Sequence, residues 1–60
     1  MSRPLRLFIV AGEPSGDRIG ADLVERLRAR TGVELSGVGG PELAAQGLRS
    51  MFPMDELAVM

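Results

Sequence analysis

Leu7-Phe8-Ile9-Val10-Ala11-Gly12-Glu13-Pro14-Ser15-Gly16-Asp17, residues 7–17, runs an apolar β-forming stretch into a turn bounded by glycines, and its reading decides the fold. With Leu5 included, the run Leu5 to Ala11 is apolar apart from Arg6 and stops at Gly12. A continuous apolar run closed by glycine predicts a strand buried on both faces, as in parallel sheets. Beyond the turn the period changes to that of a helix. Ile19, Leu23, Val24 and Leu27 recur at helical spacing, with Arg18, Asp22, Glu25, Arg26 and Arg28 on the other side. Ser15 is the expected N-cap, and Asp17 in the first turn suits the positive end of the helix dipole. Arg26, Arg28 and Arg30 crowd the last turns, and Gly32 is placed to end the helix. These signals predict an amphipathic helix from about Gly16 to about Arg30, with the arginine series as a solvated end.

Further along, Val33 to Val38 reads as a second strand ending in Gly37, Gly39 and Gly40. Pro41 then stands where a first-turn proline belongs, and Gly47 stops a short helix. Leu48 to Phe52 reads as a third short strand, and Asp55 as the cap of a helix beginning Glu56-Leu57-Ala58. Strand, helix, strand, helix with glycine at each strand end is the pattern of a doubly wound α/β sheet. Two or three strands with two short helices cannot cover both faces of such a sheet. The expectation is therefore the start of a larger Rossmann-like parallel-sheet domain, continued by further chain.

The 60 residues have a net charge of −1, from seven Arg, no Lys and eight acidic residues, and they contain neither Cys nor His. Folded chains this short bury only about 60% of their unfolded surface and usually lean on disulfides, a metal or a partner. Without Cys or His there are no disulfides and no zinc pattern built on those residues, so no metal site is expected. A cytoplasmic, unstapled chain is the simplest reading. Nucleic acid is not an expected partner, because phosphate backbones call for excess cations and aromatic platforms, and this chain has only two Phe and no Trp or Tyr. Arg3 and Arg6 precede an apolar run too short for a secretion signal, with Glu13 following closely. No stretch approaches the roughly 18 apolar residues of a membrane span.

The turn Gly12-Glu13-Pro14-Ser15-Gly16-Asp17 lies at the carboxyl end of the first strand, where open α/β sheets bind ligands. Its details exclude the common phosphate motifs. Glycines at 12, 16 and 20 miss the dinucleotide fingerprint, and Asp17-Arg18 replace the Lys-Ser/Thr pair of a P-loop. A nucleophile elbow fails at Glu13, and Ser15 has no histidine to activate it. Glu13 repels a phosphate but suits a sugar hydroxyl, which donates to a carboxylate. From spacing alone, a structural reading of the turn stands slightly ahead: Ser15 and Asp17 cap a helix and Glu13 is solvated. For Gly37 to Pro41 the structural reading is clearly ahead, since a glycine turn and a proline-started helix account for every residue.

Four blocks taken together, AGEPSGD followed by Gly20-Ala21-Asp22-Leu23, GVGGP at 37–41, Gly47, and MDELAVM at 54–60, resemble the amino terminus of the lipid-A-disaccharide synthase family. They cover nearly all of the chain from Leu7 onward, and Pro14 departs from the small residue expected there. The resemblance implies an inverting glycosyltransferase of the two-domain B-type fold, with residues 1–60 forming the opening of its acceptor-side Rossmann-like domain. It implies UDP-2,3-diacylglucosamine as donor, 2,3-diacylglucosamine 1-phosphate as acceptor, UDP and lipid A disaccharide as products, and no cofactor. It further implies peripheral association with the cytoplasmic face of the inner membrane, with which the apolar helix start Leu57-Ala58-Val59-Met60 is compatible. Gly12, Glu13, Ser15, Gly16 and Asp17 are then the candidate substrate-binding residues. Glu13 is the candidate catalytic base, although positioning a hydroxyl is its preferred role; the main base and the UDP site are expected beyond Met60. The competing reading is a non-catalytic Rossmann-like module holding a nucleotide or phosphate at Ser15 to Asp17, and a third is a scaffold piece with no site of its own.

Overall fold

The computed structural model of the chain describes residues 3–58. Strand β1 (Leu5–Val10) leads into helix α1 (Pro14–Arg28), which returns the chain to strand β2 (Val33–Val38). Two short helices follow, α2 (Pro41–Ala45) and α3 (Asp55–Ala58). The strands pair in parallel with Leu5 opposite Val33 and Val10 opposite Val38, so the described residues form a two-stranded β-α-β unit. That agrees with the α/β class and the helical crossover a parallel pair requires.

Helix α1 begins two residues earlier than expected. Proline at the first helical position needs no N–H partner and brings its own helical φ. Glu13, not Ser15, therefore takes the N-cap position, with an extended backbone and no side-chain cap bond. The packed face of the helix agrees with the expected one only in part, at Val24 and at the half-buried Leu27. Asp17, Ala21 and Val24 are buried, whereas Ile19 and Leu23 are exposed. Small residues let α1 approach closely: a Cβ at Gly20 would stand 3.4 Å from Leu43 Cδ1 and 3.6 Å from Ile9 Cγ2. The core that results is Ala11, Ala21, Val24, Leu43 and Leu48, flanked by Leu7, Ile9, Val33 and Leu35.

Burial of β1 on both faces is not found among the described residues. Leu7 and Ile9 pack on the core, while Phe8 and Val10, alternating to the other face, are 62% and 57% exposed. Nor is Leu48 to Phe52 a strand. Beside β2 it makes one backbone bond, from the Met51 N–H to the Gly37 carbonyl, and the Gly39 N–H is taken by the Ser50 hydroxyl, so no ladder propagates. Helix α3 begins at Asp55, one residue before the expected Glu56. Val59 and Met60, part of the expected apolar helix start, lie outside the described residues.

Gly37 has a backbone requirement that no other residue type meets. Its φ is +127°, and a Cβ there would lie 1.9 Å from the Ile9 carbonyl oxygen. Glycine thus lets β2 lie close against Ile9 of β1 just before the chain turns into α2.

Candidate functional site

The carboxyl ends of both strands open toward the amino ends of α1 and α2, because a parallel β-α-β unit carries the chain from each strand end into the next helix. Between the two helix starts lies an open cleft of about 480 Å³, lined by Ser15, Asp17 and Arg18 on one side and Pro41, Glu42 and Met54 on the other. The location agrees with the general placement of ligands in open α/β sheets.

Of the candidate residues, Ser15 and Asp17 line this cleft. Gly12, Glu13 and Gly16 are not among its lining residues. Gly12 lies under α3, with Leu57 Cβ 3.5 Å from where its own Cβ would be, and Gly16 sits inside α1 against Ala11. Neither has a positive φ, so the backbone freedom that a turn glycine suggests is not used at either position. Glu13 is exposed at the head of α1.

Asp17 is the best-held side chain of the site. Only 1% of it is exposed, and its carboxylate accepts three backbone N–H groups of the second turn and α2: Gly40 and Leu43 at Oδ1 and Glu42 at Oδ2, each at 2.9 Å. It neutralises N–H groups that the first turn of α2 cannot pair internally, and its negative charge faces the positive ends of two helices. Sequence reading placed Asp17 in the dipole of its own helix and missed this partner. The signal was present in the second turn, since Gly40 at the N-cap of α2 has no side chain to cap with and leaves those donors to an acceptor from elsewhere.

The other end of α2 is held from the same helix. Arg28 is exposed, as the sequence suggests, and it also donates from Nη1 to the Gln46 carbonyl and from Nη2 to the Val33 carbonyl, the latter at 3.4 Å. Arg26 pairs with Asp22 at 3.2 Å on the exposed face. Among the described residues no group of three or more acidic side chains gathers as a metal site, and no helix is long and apolar enough to cross a membrane.

A family model described as lipid-A-disaccharide synthetase matches residues 7–60, which take in both turns and every side chain of the cleft. The chain belongs to the lipid-A-disaccharide synthetase family. It is 56% identical to the lipid-A-disaccharide synthase of Rhodospirillum centenum over 59 residues, covering 95% of this chain and 15% of that protein. To the synthase of Azotobacter vinelandii it is 54% identical over 61 aligned residues, and to that of Pseudomonas aeruginosa 52%, in both cases across 100% of this chain and 16% of the relative. The chain thus spans about one sixth of the length of these curated relatives. In this lipid-A-disaccharide synthetase family segment, the two glycine turns are joined across the cleft by Asp17.

Proposed function

We propose that the protein is a glycosyltransferase of lipid A assembly, joining UDP-2,3-diacylglucosamine to 2,3-diacylglucosamine 1-phosphate. The observation that carries this reading is the family match across residues 7–60, which contain the cleft at the carboxyl ends of the strands. Residues 1–60 open the acceptor-side domain of a Rossmann-like, two-domain B-type fold, and the parallel β-α-β unit supports that placement.

In the reaction an acceptor hydroxyl oxygen bonds to the anomeric carbon of the donor sugar from the face opposite UDP. The carbon–oxygen bond to UDP breaks, its electron pair leaves with the diphosphate, and the configuration inverts. The hydroxyl proton passes to a general base. Ser15 in the cleft and Glu13, exposed at the head of α1, supply hydrogen-bonding groups for the acceptor sugar, with Glu13 accepting from a hydroxyl. Asp17 stands behind them, and the main base and the UDP site lie outside residues 1–60. Both substrates carry acyl chains, so the enzyme works peripherally at the cytoplasmic face of the inner membrane.

The test uses the full-length enzyme with both substrates in mixed micelles. Disaccharide and UDP should form in equal amounts, with the β configuration at the new bond. Tight UDP-sugar binding without disaccharide would favour the non-catalytic module instead. The 60-residue chain alone, without a UDP site, should give no turnover.

A further inference from the structure

Asp17 is a buried carboxylate for which the reaction above has no direct use. It belongs to the first turn of the cleft by sequence and to the second by its hydrogen bonds, which reach 23, 25 and 26 residues along the chain. The fit is close on both sides. A Cβ at Gly40 would lie 2.8 Å from Asp17 Oδ2 and 2.9 Å from Met54 Cε, so glycine at 40 is what admits the carboxylate. No other side chain reproduces the contact. An asparagine presents one acceptor oxygen, and whichever way its amide is turned, the NH2 group faces at least one backbone N–H. A glutamate carries one more methylene, which moves its carboxylate off the three N–H groups that Asp17 meets at 2.9 Å.

We infer that Asp17 is a positioning residue for the acceptor sugar: its carboxylate fixes the distance between the AGEPSGD turn and the GVGGP turn, and with it the width of the cleft between Ser15 and Glu42. The inference rests on the acceptor-side reading proposed above. Asp17 itself touches no substrate; it acts through the placement of α2, whose Pro41 and Glu42 form the far wall. The GVGGP segment thereby becomes part of the acceptor site, a role that its own residues do not suggest.

The full-length enzyme tests this with four variants: Asp17→Asn, Gly40→Ala, Leu43→Ala and Asp22→Asn. Asp17→Asn puts a donor against the donors of α2, and Gly40→Ala pushes the carboxylate away while leaving it charged. Each should raise the KM for the acceptor about tenfold or more, with the KM for the UDP-sugar within twofold of wild type. Leu43→Ala weakens the core beneath α2, and it should lower Tm and the active fraction with a smaller change in acceptor KM. Asp22→Asn, on the exposed face of the same helix, should leave all values unchanged. A purely structural role would make Asp17→Asn behave like Leu43→Ala, with lower Tm and no larger change in acceptor KM than that variant shows, and that result overturns the inference. Failure of both Asp17→Asn and Gly40→Ala to yield folded enzyme also overturns it, since it assigns the carboxylate to folding alone. A wild-type enzyme that makes no disaccharide would instead refute the proposed function.

Discussion

Glu13 and Asp17 are both acidic residues of the seven-residue AGEPSGD segment, and their surroundings give them opposite duties. The Asp17 carboxylate is consumed by three backbone donors, whereas Glu13 is exposed and caps nothing. Of the two, Glu13 is therefore the carboxylate left for the proposed acceptor contact. Replacing it by Gln in the full-length enzyme keeps the shape but removes a charge-assisted hydrogen bond, on the order of 1.5–3 kcal/mol. The expected result is a roughly ten- to hundredfold fall in kcat/KM with the acidic limb of the pH–rate profile retained. Disappearance of that limb, with a loss reaching about 10⁴-fold, would make Glu13 the base. Unchanged kinetics would mean a solvated side chain and nothing more.

Two glycines with positive φ separate steric from conformational cost at the same scale. At Gly37 an added Cβ meets the Ile9 backbone at 1.9 Å, while at Gly47, with φ +99°, the nearest group is the flexible Arg28 guanidinium at 3.5 Å. Gly37→Ala should destabilise the full-length enzyme by more than about 4 kcal/mol, since strand backbone must move. Gly47→Ala should cost only the strain of its conformation, about 1–3 kcal/mol. Denaturant midpoints of the two variants measure the difference, and equal losses would contradict the close approach of Gly37 to the Ile9 carbonyl.

Helix α1 grips α2 at both ends, with Asp17 at the amino end and Arg28 at the carboxyl end, each with the sign the α2 dipole favours. The positions 17, 21, 24 and 28 form one stripe at helical spacing, so a single face of α1 carries both the core contacts and the two ionic clasps. Their energetic weights differ because of burial. Leu43, fully buried on the packed face of α2, should lose about 2–5 kcal/mol on truncation to Ala. Arg28 is exposed, and Arg28→Ala should cost less than about 1 kcal/mol. Thermal unfolding of the full-length variants checks the order, and a larger loss at Arg28 than at Leu43 would reverse it. Two of the four apolar residues that define the sequence periodicity, Ile19 and Leu23, contribute to neither contact. Periodicity marks where apolar side chains lie around a helix, but small residues decide how near the sheet can come.

For the whole molecule, surface area measures how much of the apolar material is covered. A folded monomer of 6.4 kDa is expected to expose about 3,800 Å². This chain exposes 4555 Å², about a fifth more, and Phe8, Val10, Ile19 and Met51 are each more than half exposed. Six buried hydrophobic residues among those described are a small core against the conformational entropy of sixty. The isolated 60-residue chain should therefore show no cooperative thermal transition by circular dichroism. A sharp, reversible melt would refute this prediction and show that the unit is self-sufficient.

The first four elements in their order, the bounds of β2, the proline start of α2 and the turn that joins β1 to α1 were legible in the sequence, because each depends on residues within a few positions of one another. Runs of β-formers, proline at a first helical turn and glycine at a strand end act locally. The family was legible too, from four blocks at fixed spacing. Only the tertiary structure decided that Asp17 caps α2, that Arg28 closes its other end, that Ser50 interrupts a third strand, and which stripe of α1 faces the core. These depend on donors and acceptors that pair across 11 to 26 residues of chain. A carboxylate in a sequence is only an acceptor in search of donors, and where those donors stand is settled when helix packs on helix.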